Sequence, residues 1–66
     1  MNIYDIKGSG NKYNFRVECG VTVQVKTILE NFEIVLNKKV KEWNLDYIRG
    51  DEESKLQYWW FEVETW

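Results

Sequence analysis

Histidine and proline are absent from this 66-residue chain, and cysteine occurs once, at Cys19. Each absence closes a class of function. Without histidine there is no imidazole base, no imidazole metal ligand and no Cys–His or Ser–His pair. One cysteine cannot form a disulfide within the chain, and a zinc site built from four Cys or His ligands is excluded. A lone thiol suits a reducing compartment, so a cytoplasmic protein is expected. The lack of proline argues against rigid linkers and proline-rich recognition tails.

Other signals are missing too. No apolar run approaches the ~18–20 residues of a membrane span. The start, Met1–Lys7, has neither a basic leader nor a long apolar stretch, so no secretory signal is read there. Gly8-Ser9-Gly10 lacks the spacing and the following lysine of a phosphate-binding loop. Repeats and low-complexity segments are absent. With Met1 in place, a complete reading frame folding as one domain over 1–66 is expected.

What the chain does have is aromatic side chains. Five of its eleven rings fall in the last nine residues, Tyr58–Trp66. A chain this short makes a small core. Rings burying about 150–250 Å² each can supply one without a disulfide or a metal.

Charge is mild but uneven. Residues 1–43 hold seven bases and five acids, whereas residues 44–66 hold six acids and two bases. The densest basic stretch is only Lys38-Lys39-Val40-Lys41. That is thin for a polyanion binder, so direct contact with nucleic acid is disfavoured. An acidic, aromatic C-terminal half suits a basic protein surface instead.

Hydrophobic spacing gives the elements. Asn2–Lys7 reads as a strand and Gly8–Asn11 as a hairpin loop. Tyr13, Phe15, Val17, Cys19, Val21, Val23 and Val25 then occupy every odd position, a long period-2 strand in which Gly20 marks a bend or bulge. Residues 27–43 carry two patterns. Thr27 followed by Glu30 fits a capping box. Leu29, Phe32, Leu36, Val40 and Trp43 form a stripe at helical spacing, acidic at its start and basic at its end. A helix over 28–42 is the reading, with a hairpin turning at Asn37-Lys38 as the alternative. Trp43, Leu45 and Tyr47 alternate, giving a strand over Asn44–Ile48. Arg49–Ser54 reads as a polar loop and Lys55–Thr65 as the last strand. The order β-β-α-β-β predicts an α+β fold, a small antiparallel sheet with one helix on one face. An all-β small barrel is the alternative.

Candidate chemistry is sparse. Arg49-Gly50-Asp51 reads as a turn around its glycine. The Asp51-Glu52-Glu53 run matches no cation-binding loop and reads as a solvated tip, so neither a metal nor a cofactor is expected. Cys19 sits in the apolar register of a strand, as a small buried hydrophobe. Glu62 and Glu64 share a strand face but no cleft is signalled around them, and catalysis is not expected.

The last strand carries the best candidate. Trp59, Phe61 and Val63 share one face, while Tyr58 and Trp60 lie on the other with Glu62 and Glu64. Rings beside carboxylates suit a partner-binding surface. The expected site is therefore Tyr58, Trp60, Glu62, Glu64 and Trp66, with Asp51, Glu52 and Glu53 extending its negative rim. A contact between two copies of the chain is an open alternative for these rings. In composition the chain resembles the small acidic α+β proteins with which bacteriophages and mobile elements block host enzymes. That resemblance implies a non-catalytic inhibitor or adaptor covering a basic site on a host protein. The alternative function is a small, dimeric nucleic-acid-binding domain presenting Arg16, Lys26, Lys38, Lys39 and Lys41.

Overall fold

The computed structural model describes all residues, 1–66. Its elements are β1 (Asn2–Ser9), β2 (Lys12–Gly20), α1 (Val25–Leu36), β3 (Val40–Asp51) and β4 (Leu56–Thr65). They follow the expected β-β-α-β-β order. The strands form one sheet in the order β1-β2-β4-β3, with every neighbouring pair antiparallel. β4, the most aromatic strand, is therefore central. It separates β2 from β3, which run parallel to each other and are joined through α1. The sheet is open, with β1 and β3 as free edges, so the barrel alternative does not hold.

Alternation decides which residues are buried. The odd positions of β2 and β4 face α1, and Phe15, Val17, Cys19, Trp59, Phe61 and Val63 are all buried there. α1 contributes Ile28 and Phe32. Three phenyl rings make the centre of this core. Phe32 stacks on Phe15 at 4.2 Å between centroids, and Phe15 on Phe61 at 5.2 Å. Ile3, Ile6, Leu29, Leu36, Val40 and Leu45 pack around them, half buried.

The helix lies earlier than the stripe predicts. It begins at Val25, behind an extended Gln24 that offers no side-chain cap. Thr27 is already helical, so the expected capping box does not form. Its carbonyl accepts the Asn31 Nδ2–H at 2.8 Å instead. At the other end Asn37 adopts the left-handed conformation (φ 55°), which asparagine tolerates and which stops a helix. The N–H of Lys38 then bonds back to the Glu33 carbonyl at 3.2 Å. Glu33 also accepts the Val40 N–H on its carboxylate at 2.7 Å, tying the end of α1 to the start of β3. Val40 and Trp43 therefore belong to a strand, and Lys38, Lys39 and Lys41 do not lie on the helix.

Strand boundaries differ as well. β2 ends at Gly20, and the Val23 N–H closes a turn onto the Gly20 carbonyl at 3.3 Å. Val21, expected to face the core, is 62% exposed in that turn. β3 is longer than Asn44–Ile48 and takes in Arg49, Gly50 and Asp51, so that tripeptide is extended strand and not a turn. The turn itself lies at residues 52–55. On the opposite hairpin Gly8 is required by close packing. A Cβ there would stand 2.2 Å from the Lys12 carbonyl oxygen. Gly10, with φ 64°, supplies the positive φ at the first position of the two-residue turn into β2. No helix is long and apolar enough to cross a membrane.

Candidate functional site

α1 covers one face of the sheet, and nothing covers the other. The strand register sets out that open face in rows. Tyr4, Arg16, Trp60 and Tyr47 align across β1, β2, β4 and β3. Next to them run Asn2, Glu18, Tyr58 and Arg49 on one side, and Lys7, Asn14, Glu62 and Asn44 on the other. A last row holds Ser9, Lys12, Glu64 and Glu42. The placement follows from the core: with Phe15, Phe61 and Val63 turned inward, their even-numbered neighbours must point out.

The rings on this face are held in place. Arg16 lies over Trp60, its guanidinium carbon 5.2 Å from the ring centroid. Asp5 pairs with that guanidinium, its Oδ2 3.6 Å from Nη1. Arg49 lies over Tyr58 at 5.3 Å. Tyr47 meets Trp60 edge-on at 5.0 Å. Such contacts restrict side chains that would otherwise be mobile, so the face has less rotamer freedom to lose on binding. Tyr58 and Trp60 are half buried and Tyr47 is 56% exposed.

Carboxylates gather at one end. Glu42, Glu62 and Glu64, with Lys12, Asn14 and Asn44, line a shallow depression of about 460 Å³. Glu42 and Glu64 stand directly opposite each other across β3 and β4. Like charges in that position disfavour the strand pair, with Lys12 beside them as a partial offset.

Of the eight residues expected at the site, Tyr58, Trp60, Glu62 and Glu64 share this face. Asp51 keeps the register of that face, opposite Leu56, but at its far end, and Glu52, Glu53 and Trp66 lie outside the strands. Asp51, Glu52 and Glu53 lie at the β3–β4 turn, at the far end of β4 from Glu64. Eight residues of strand, about 26 Å, separate the ends of that row. The acidic groups therefore bracket the rings instead of forming one rim. Asp51 is turned back on its own loop, accepting the Glu53 N–H at 3.1 Å. The Ser54 hydroxyl and that N–H hold its carboxyl below its ordinary value. Trp66 is 73% exposed beyond the end of β4, with the Lys41 ammonium 4.8 Å over its ring.

Tyr4, Tyr47 and Arg49 are not among the residues the sequence points to, and Arg16 is among them only for the nucleic-acid alternative. Arg16 has an even position in β2, which signals an outward face, but its meeting with Trp60 depends on a non-local pairing. Tyr47 was obscured by a bulge. The register slips between Leu45 and Tyr47, so Tyr47 points away from Leu45 although the two alternate in sequence. The slip also carries Arg49 to the open face.

Elsewhere, Cys19 is buried and burial pushes its thiol up. No three His, Cys, Asp or Glu side chains are grouped so as to hold a metal ion. No family model, curated protein or solved structure matches the chain.

Proposed function

We propose that this chain is a non-catalytic protein-binding module, an inhibitor or adaptor that lays its open sheet face on a basic surface of another protein. One observation supports this most: a four-stranded sheet leaves a face with Tyr47, Tyr58 and Trp60 uncovered, beside an acidic end where Glu42 and Glu64 oppose each other. The rings supply anchors, because large aromatics dominate binding energy when a partner desolvates them. The carboxylates supply steering and selectivity, and a cationic partner would relieve the Glu42–Glu64 opposition. Neither role needs a reaction centre. A cytoplasmic setting fits the unpaired Cys19.

Arg16 and Arg49 favour a second reading. Guanidinium groups and rings on an open sheet face form the kind of platform on which single-stranded bases stack. The charge balance weighs against it. Lys7, Lys12, Arg16 and Arg49 are matched on the face by Glu18, Glu42, Glu62 and Glu64, and Asp5 already pairs Arg16.

Capture of a partner from host lysate, followed by titration calorimetry and stopped-flow mixing, tests the proposal. Trp60→Ala should weaken binding by ~2 kcal/mol or more. Glu62→Lys combined with Glu64→Lys should chiefly slow association and reduce its salt dependence. Unchanged affinity in Trp60→Ala would dismiss the open face as the site. Strongly salt-dependent binding to a single-stranded oligonucleotide would instead select the second reading.

A further inference from the structure

β3 is a twelve-residue edge strand with no proline, and its outer side pairs with nothing. Long, unshielded edges are where sheets add strands. The other edge is the more distorted: β1 holds Asp5 at a positive φ of 55° and Gly8 at 142°, whereas the register shifts of β3, at Val40/Glu42 and Leu45/Tyr47, put no residue at positive φ. On the α1 side of β3, Val40 and Leu45 pack against the core, but Trp43 and Ile48 remain 49% and 46% exposed. A partner strand alongside β3 would cover both.

The sequence of β3 says which strand fits. Turn a second β3 antiparallel to the first, with the two-fold axis between Leu45 and Asp46. Glu42 of each copy then falls opposite Arg49 of the other, and Trp43 opposite Ile48. The faces agree: Glu42 and Arg49 both belong to the open face, while Trp43 and Ile48 lie on the α1 side. They agree only because of the bulge at Leu45–Tyr47. In a regular strand positions 42 and 49 would point to opposite faces. The extra residue lies at the midpoint of both strands, so pairing is preserved on either side of it. Sliding the register by two residues sets Glu42 against Asp51 and Trp43 against Gly50, which replaces two attractions by two repulsions and leaves the indoles uncovered.

From this self-complementarity of charge and shape, we propose that two copies of the chain join edge to edge through β3. The product is a continuous eight-stranded sheet with two helices on one side. Each symmetric contact occurs twice, as a two-fold interface requires. Asp46 works against the association, since one carboxylate from each copy stands near the axis. This proposal uses the strand edge and does not depend on the partner-binding role of the open face.

A charge swap tests it on the full chain, read by sedimentation equilibrium over a wide concentration range. The wild type should show a monomer–dimer equilibrium. Glu42→Arg or Arg49→Glu alone creates two like-charge contacts and should raise the dissociation constant by roughly tenfold or more. The double variant E42R/R49E should restore association, because each new charge again meets its opposite. Circular dichroism verifies folding, and Ile48→Lys gives an independent disruption from the α1 side. A wild type that stays monomeric at its highest concentration overturns the proposal. So do single reversals that leave the dimer intact, and a dimer abolished by Trp60→Ala alone, which would assign self-association to the open face.

Discussion

Phe32 holds the helix to the sheet, and removing its ring is the sharpest test of the core. It is fully buried. One face stacks on Phe15 at 4.2 Å and 15°, and Tyr13 meets it edge-on at 6.3 Å. Replacing a buried Phe by Ala costs ~3–5 kcal/mol, depending on how far the site collapses. The two ring contacts place Phe32 toward the upper end, since aromatic pairs add about 0.5–1.5 kcal/mol each beyond area. Against this stands a total stability of roughly 3–10 kcal/mol for a domain of this length. Phe32→Ala should therefore remove about half or more of the total stability. Urea titration followed by tryptophan fluorescence, at low protein concentration so that association does not contribute, measures the loss. The midpoint should fall while the slope with denaturant holds. Val35→Ala is the control. It lies on the same helix but is 59% exposed, and should change stability by less than ~0.5 kcal/mol. A loss below about 1 kcal/mol in Phe32→Ala would contradict the stacked core, because no well-packed ring is removed so cheaply.

Cys19 should report the opening of the core. Burial both shields its thiol and pushes its ionisation up, so a disulfide reagent should label the native chain slowly and the urea-unfolded chain at the rate of a free thiol; fast labelling of the native chain would contradict its placement. Asp51 sets a pH dependence. Its carboxyl is lowered in the folded chain by the Ser54 hydroxyl and the Glu53 N–H, so its contribution is present above the unfolded carboxyl range and is lost as pH falls through the folded value. Melting curves of the wild type and Asp51→Asn should differ at neutral pH and converge in acid, and an offset independent of pH would refute this.

Local patterns in the sequence carried much of the fold. Alternation in residues 13–19 and 58–65 identified β2 and β4 and the inward set Phe15, Val17, Cys19, Trp59, Phe61 and Val63. The split of β4 into an apolar face and a ring-and-carboxylate face was visible for the same reason. Where the reading failed, a backbone event interrupted a pattern that the side chains continued. Leu36, Val40 and Trp43 keep helical spacing across Asn37, yet one left-handed residue ends the helix between them. Trp43, Leu45 and Tyr47 keep strand spacing across Asp46, yet a bulge turns Tyr47 to the opposite face. Neither asparagine nor aspartate announces such a conformation; each only permits it. Strand order was invisible for a different reason. It depends on which strand lies beside β4, and that is decided by long-range packing. Without it, Arg16 could not be placed on Trp60.

The distribution of apolar residues explains why two surfaces remain to be filled. One twelve-residue helix is the only second layer, and its two fully buried side chains, Ile28 and Phe32, meet β2 and β4. Nothing is left to cover the reverse of the sheet, and on β3 Trp43 and Ile48 stay about half exposed. A stable monomer can accept this, because the buried set beneath α1 is continuous and the rings outside it are held by Arg16 and Arg49. The result is a domain whose core and outer surfaces are separable: Trp60 can be cut back without touching Phe61, although the two are neighbours in sequence. If copies then join through β3, the open faces come side by side in one sheet. A partner with two matching basic sites would meet both at once, and the second contact would form at the high effective concentration that linkage provides. A small chain with shallow individual contacts could in that way reach an affinity that neither face supplies alone.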